Sequence, residues 1–273
     1  MSLKSKSLSA QWRGCRFTAA LLAGAALTAV AQPAVALDVT LALGAGLAPD
    51  YEGSEDYEAV PAWLLIVNDL YDPHTNVVVR GPQLRSNLVP HPQFRAGISG
   101  LYVPERSDVD NNQVDNLRDT DAGLMLGGGI GWDFFPQREI SLVTAVDLIA
   151  DVTGNNGYLV TPYVAYGNAL PGTPLSVGVE LFTNWASDDY MDEQFGISAN
   201  DAARSGLNQF NADDGFKDVG LLGNVTYRFT ERWSSTFAAQ YKLMVGDAAD
   251  SPVVDDVGSE HQFVAGVTVN FHF

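Results

Sequence analysis

The sequence predicts an all-β chain, a transmembrane antiparallel β-barrel, on three observations: residues that alternate with a period of two, connections that alternate between short and long, and an apolar leader followed by no spanning helix. From His261 to Phe273 the alternation is unbroken. Phe263, Ala265, Val267, Val269, Phe271 and Phe273 share one face, while Gln262, Val264, Gly266, Thr268, Asn270 and His272 share the other. One face suits lipid and the other is mostly polar, which is the pattern of a barrel strand. A soluble sandwich also contains alternating strands, so the reading rests on the rest of the chain as well.

The leader comes first in chain order. Lys4, Lys6, Arg13 and Arg16 precede an Ala- and Leu-rich run from Ala19 to Val30, and Ala34-Val35-Ala36 places small residues where a signal peptidase requires them. We therefore expect residues 1–36 to be a cleaved secretory signal and residues 37–273 to form the barrel. The run is too short for a spanning helix, and no later segment has the roughly 18 apolar residues that one needs. Membrane insertion must then be as a closed barrel. Cys15 precedes the apolar run and leaves with it, so the expected mature chain has no disulfide and no thiolate chemistry.

Removal of the four basic residues of the leader leaves 11 Lys and Arg against 33 Asp and Glu, a formal charge of −22, with Lys217 and Lys242 the only lysines. Phosphate backbones need a basic footprint, which excludes a nucleic-acid partner. A disordered acidic chain is excluded by a hydrophobic content of 46% with 10% aromatics.

Alternation and turn residues together give strands near 38–48, 59–68, 74–80, 83–89, 93–103, 120–134, 139–150, 157–167, 174–184, 217–229, 232–243 and 260–273. That is about twelve, with ten as the alternative because the third and fourth are short. The second, around Trp63 to Val67, is apolar on both faces. If both termini are periplasmic, turns after even strands should be short and loops after odd strands long. Phe135-Pro136-Gln137-Arg138, Gly167 to Thr173 and Thr230-Glu231 follow even strands, whereas 104–119, 185–216 and 244–259 follow odd ones. Those long loops hold most of the acid, so the charge belongs mainly to the outer face. Within the longest, Ser198 with Asp201 three residues on forms an N-cap signal, and Gly206 closes the run, which predicts a short helix at the barrel mouth.

Three further segments carry a resemblance: Pro49-Asp50-Tyr51-Glu52-Gly53-Ser54, then Phe195-Gly196-Ile197-Ser198 leading to Ser205-Gly206-Leu207, then Gly246-Asp247-Ala248-Ala249-Asp250-Ser251-Pro252-Val253. With the leader, the length and the aromatic end, the chain resembles the MipA/OmpV family of outer-membrane proteins over essentially its whole mature length. The resemblance implies an outer-membrane barrel of a Gram-negative cell. For the founding member it implies a structural scaffold that binds a lytic murein transglycosylase and a murein synthase. It supplies no catalytic residues.

The residues offer little chemistry of their own. Ser259-Glu260-His261 is the nearest approach to a nucleophile and base, but it brings no oxyanion donors, so no enzyme activity is expected. His74, His91 and His272 lack ligand spacing, and Asp108-Val109-Asp110-Asn111-Asn112 lacks the Gly turn and closing Glu of a calcium loop. No metal or cofactor is expected. Parity points Arg80, Arg85 and Arg95 inward from strands three to five and Asp147 and Glu180 inward from strands seven and nine, with Arg228 and Lys242 also inward. Two readings stay open: a transverse field in a pore for small cationic solutes, or a paired network that fills the interior. Expected partners are outer-membrane lipid and lipopolysaccharide and, by resemblance alone, the murein transglycosylase and synthase.

Overall fold

The computed structural model describes residues 37–136, 140–154 and 157–273. The leader reading and part of the Phe135–Arg138 turn lie outside these residues. Among the described residues, twelve strands close into one antiparallel barrel, each paired with its neighbours in sequence and β12 with β1. They are β1 (Asp38–Pro49), β2 (Tyr57–Asn68), β3 (Asn76–Arg80), β4 (Gln83–Asn87), β5 (Phe94–Val103), β6 (Gly123–Asp133), β7 (Ile140–Asp151), β8 (Tyr158–Ala169), β9 (Leu175–Ala186), β10 (Gly215–Arg228), β11 (Trp233–Met244) and β12 (His261–His272). The ten-strand alternative is excluded, because the third and fourth segments form a real hairpin, though of five residues per arm. No helix among the described residues is long and apolar enough to cross a membrane.

Alternation sorts the side chains as lipid requires. On β1, Ala42 is fully buried while its neighbour Leu43 is 65% exposed and faces outward. From Thr40↔His272 and Ala42↔Leu64 the register carries this parity around the ring. Leu41, Leu47, Ile98, Ile130, Leu148, Leu181, Leu221, Val267 and Val269 are all exposed on the outer face. Outward aromatics gather near both rims: Tyr57, Tyr102, Tyr158 and Phe263 toward the long loops, and Phe94, Trp132, Tyr227, Trp233 and Phe271 toward the short turns. An apolar band between two aromatic girdles is the exterior of a membrane barrel. The chain is an outer-membrane β-barrel with its long loops extracellular.

The interior at the periplasmic end is polar and bonded. His272 receives or donates at both ring nitrogens, to Thr40 Oγ1 at 2.8 Å and Ser234 Oγ at 2.9 Å, and Asn270 Nδ2 donates to Ser234 Oγ and Thr236 Oγ1. These groups tie β12 to both its neighbours at the closing seam.

Among the described residues the long loops hold five short helices: α1 (Asn112–Asp115), α2 (Asp188–Phe195), α3 (Ala199–Ser205), α4 (Asp247–Asp250) and α5 (Pro252–Asp255). The predicted helix is α3. Ser198 accepts from Asp201 N–H, and Gly206 ends the helix at φ 78, a left-handed value that glycine adopts without strain. The other four were not anticipated.

Leu43 tests the exterior. Arg at that position should cost about 2–4 kcal/mol in reversible urea-driven folding into lipid vesicles.

Candidate functional site

The extracellular end of the barrel is filled. Inward side chains at the strand tops, Val103, Met125, Ile149, Leu159 and Met244, form one buried cluster with Tyr190, Met191 and Phe195 of α2 and Val254 of α5. A second cluster lies beside it, where Tyr51, Val109, Val114, Leu117, Ile197, Leu207 and Val253 meet. We call the two together the cap.

The three sequence segments that carried the resemblance converge in this cap. Ser251 Oγ donates to Phe195 O at 2.6 Å, joining the second segment to the third. Gly53, with φ 103, lies so close to Val254, the residue just after the third, that an added Cβ would stand 2.6 Å from its Cγ2. Gln262 holds the first segment to β12, donating to Ser54 O and accepting from Gly53 N–H.

Beneath the cap, Glu52 reaches from the β1–β2 loop to β10 and β11. Its Oε1 accepts from Lys217 Nζ at 2.5 Å and Lys242 Nζ at 2.8 Å, and its Oε2 accepts from Tyr190 OH at 3.1 Å. Lys217 also donates to Asp218 Oδ2 at 2.8 Å, and Asp218 accepts from Asn184. Simple alternation would point Lys217 outward beside Val219. A bulge between Phe216 and Asp218 shifts the register there, and an extra residue re-aims the side chain inward. Burial alone would raise the Glu52 carboxyl, but the two ammonium groups outweigh it and hold the group well below the usual carboxylate range. Burial and the Glu52 charge push the Tyr190 phenol far up.

Lower in the lumen, Arg85 is the hub. Its Nε donates to Asp147 Oδ2 at 2.8 Å, its Nη1 to Glu180 Oε1 at 2.7 Å, and its guanidinium lies 4.0 Å over the Tyr163 ring. Ser99 Oγ donates to Asp147 Oδ1. A Cβ on Gly129 would sit 2.0 Å from that same Asp147 oxygen, so the glycine makes room for the carboxylate. Arg80 joins through Gln83 and a 3.9 Å approach to Glu180.

The structure thus brings Arg80, Arg85, Asp147 and Glu180 into direct pairing across the lumen, with no open field between two walls. Arg95 stands apart and pairs with Asp133 at 2.7 Å. Lys242 belongs to the Glu52 cluster, and Arg228 is exposed at the periplasmic end, toward His272. Glu52, Lys217, Asp218 and Asp133 were missed. Only the Glu52 segment had been singled out, and parity alone could have placed Asp133 and Asp218.

Glu260 and His261 are exposed at the rim and Ser259 is half-buried there. Ser259 Oγ meets only the His261 backbone, while His261 Nδ1 lies 2.7 Å from Tyr241 OH. No group of three or more His, Cys, Asp or Glu suited to a metal occurs among the described residues. In the cap, Arg106 donates Nη1 to Gln194 O, while its buried Nε and Nη2 have no hydrogen-bond partner among the described residues. Burial pushes the Tyr51 phenol up to about 12.

Residues 41–273 match the family model described as MltA-interacting protein MipA. The chain belongs to the MipA family. Over 161 residues this MipA-family barrel is 28% identical to the MltA-interacting protein of Escherichia coli (strain K12) and, to the same degree, of Shigella flexneri. The match covers 58% of this chain and 60% of each relative's length. Among solved structures, the NanC porin overlaps 86% of the chain and 99% of its own, at 11% identity and a TM-score of 0.39. An outer membrane channel from Pseudomonas putida F1 overlaps 87% and 95%, at 12% identity and a TM-score of 0.41. Neither likeness is strong enough to bear on what this MipA-family barrel does.

Replacing Glu52 by Gln should loosen the cap by about 1.5–3 kcal/mol, because the half-buried Lys242 loses its carboxylate partner and the buried Lys217 keeps only Asp218. Hydrogen exchange in 187–214 and 245–260 should rise severalfold with the barrel strands still protected. A carboxylate whose folded pKa is depressed stabilises above its unfolded pKa, and that stability is lost as pH falls through the folded value. The wild-type cap should therefore weaken progressively from the ordinary carboxylate range down into stronger acid. Glu52→Gln should remove that acid transition, as followed by exchange against pH.

Proposed function

We propose that this outer-membrane barrel is a non-catalytic structural protein that docks a peptidoglycan-remodelling enzyme, a murein transglycosylase with its synthase, at its periplasmic rim. The observation that carries the non-conducting half of this reading is the cap, which fills the mouth with apolar side chains above a lumen whose charges pair with one another. The docking half comes from the description of the family and of its relatives. The rim offers Tyr71, Phe134 and Phe135, all exposed at turns after even strands, where aromatic anchors suit a partner surface. Short turns alone give little of the roughly 800 Å² per side of a standard interface, so the partner must also reach the rim aromatics. Outer-leaflet lipid and lipopolysaccharide are the surroundings this reading gives the barrel, its acidic loops facing the headgroups.

The second reading is a porin-like channel for small cationic solutes, favoured by the acidic extracellular loops, which would concentrate cations at the mouth. It requires the cap to move.

Two measurements separate them. Murein transglycosylase should co-purify with the wild-type barrel from detergent-solubilised envelopes, and Tyr71→Ala with Phe135→Ala should abolish this without loss of heat-modifiable migration. In planar bilayers the refolded protein should carry no stable current. A steady cation-selective current that weakens in Glu180→Gln would overturn the scaffold reading in favour of the channel.

A further inference from the structure

The barrel wall is incomplete on one side. Strand β2 has twelve residues, but its neighbour β3 has five. Their pairing runs from Asn68↔Asn76 to Leu64↔Arg80 and ends where Gly81 N–H donates to Trp63 O at 3.0 Å. Beyond that point, among the described residues, Tyr57–Ala62 pair as strand with β1 alone. At about 3.3 Å per residue, β2 lacks a neighbour along about 20 Å of its extracellular half. On the far side the hairpin stays with β5, and Tyr102 N–H donates to Pro82 O at 2.9 Å. The opening is therefore a notch between β2 and the hairpin tip.

Pro61 fits this notch and no ordinary strand position. The carbonyl of Trp63 points toward β3, and groups two residues apart on a strand point the same way. Pro61 thus faces the notch, where it has no N–H to leave unpaired, and a proline there opposes the addition of another strand.

The inner face behind the notch is partly exposed, and between two charged ends it is apolar. Glu58 faces inward by register, opposite Ala48, yet is exposed. Arg80, inward at the foot of the notch, has a side chain 39% exposed, against 17% for Arg85 on the adjacent strand. Between them the inner face of β2 presents Val60, Ala62 and Leu64, none fully buried. Outside, the notch is bordered by Ala59, Pro61 and Trp63, all exposed on the lipid-facing side. The hairpin tip stands level with Tyr102 of the extracellular aromatic girdle, so outer-leaflet lipid meets the opening where its acyl chains begin below the headgroups.

We propose that the notch is a lateral portal, in which an acyl chain of an outer-leaflet lipid enters the barrel wall and lies against Val60, Ala62 and Leu64. The cap closes the route from above, and Arg80, with its charge toward Glu180, ends the apolar surface below.

Cys15 is the only cysteine and falls in the expected leader, so single-cysteine variants of the mature chain can be labelled cleanly. A bimane placed through Ala62→Cys is compared with one placed through Thr236→Cys, which faces the polar side of the lumen at β11. Both variants are refolded into vesicles of phospholipid bearing a nitroxide on the acyl chain, and heat-modifiable migration verifies folding. If Ala62→Cys does not fold, Val60→Cys gives the same readout. The expected result is severalfold stronger quenching by the lipid nitroxide at position 62 than at 236. Equal quenching at the two positions, or quenching at 62 by aqueous iodide and not by the lipid, would overturn the portal.

Discussion

Everything in this molecule depends on satisfying backbone hydrogen bonds where water is absent. A strand in hydrocarbon cannot leave its N–H and C=O groups unpaired, and the ring from β1 to β12 answers that need by closing on itself. Closure dictates the rest of the pattern. Every second side chain must please lipid, every other one must find partners inside, and the polar groups at the seam, Thr40, Ser234, Asn270 and His272, bond to one another. The shortened β3–β4 hairpin is the one place among the described strands where the answer is partial, and Pro61 reduces the number of donors left over.

The interior and the cap solve a second problem, that of charges inside a barrel. Bringing an ammonium or carboxylate out of water is costly unless a partner with good geometry compensates. Arg85 between Asp147 and Glu180, and Glu52 between Lys217 and Lys242, are both shared arrangements in which one ion serves two of opposite sign. Most of the acid of the outer loops needs no such pairing and stays in solvent, while Glu193 pairs with Arg118 and the buried Asp201 with Arg204. Two populations of charge thus coexist, one internal and bonded, the other external and hydrated.

Much of this was legible from alternation. All twelve strands, their inward and outward faces and the sorting of short turns from long loops follow from a period of two and from turn residues, and α3 follows from Ser198, Asp201 and Gly206. What was not legible depends on how strands sit side by side. The partners of Arg95 and Lys242 are Asp133 and Glu52, distant in sequence and brought close by the stagger of the ring. Lys217 was misdirected by a bulge that adds one residue and reverses parity locally. Helices of four residues such as α1, α4 and α5 are too short to show a period.

The Glu52 clamp also has a temporal side. Glu52 follows the first strand, while Lys217 and Lys242 lie 165 and 190 residues later, on strands that reach β1 only through β12. Contacts between residues so far apart along a chain form late, after loop closure has been overcome. The clamp can therefore assemble only when the first and last parts of the ring have met, which makes the ordered cap a marker on the cell surface that insertion is finished.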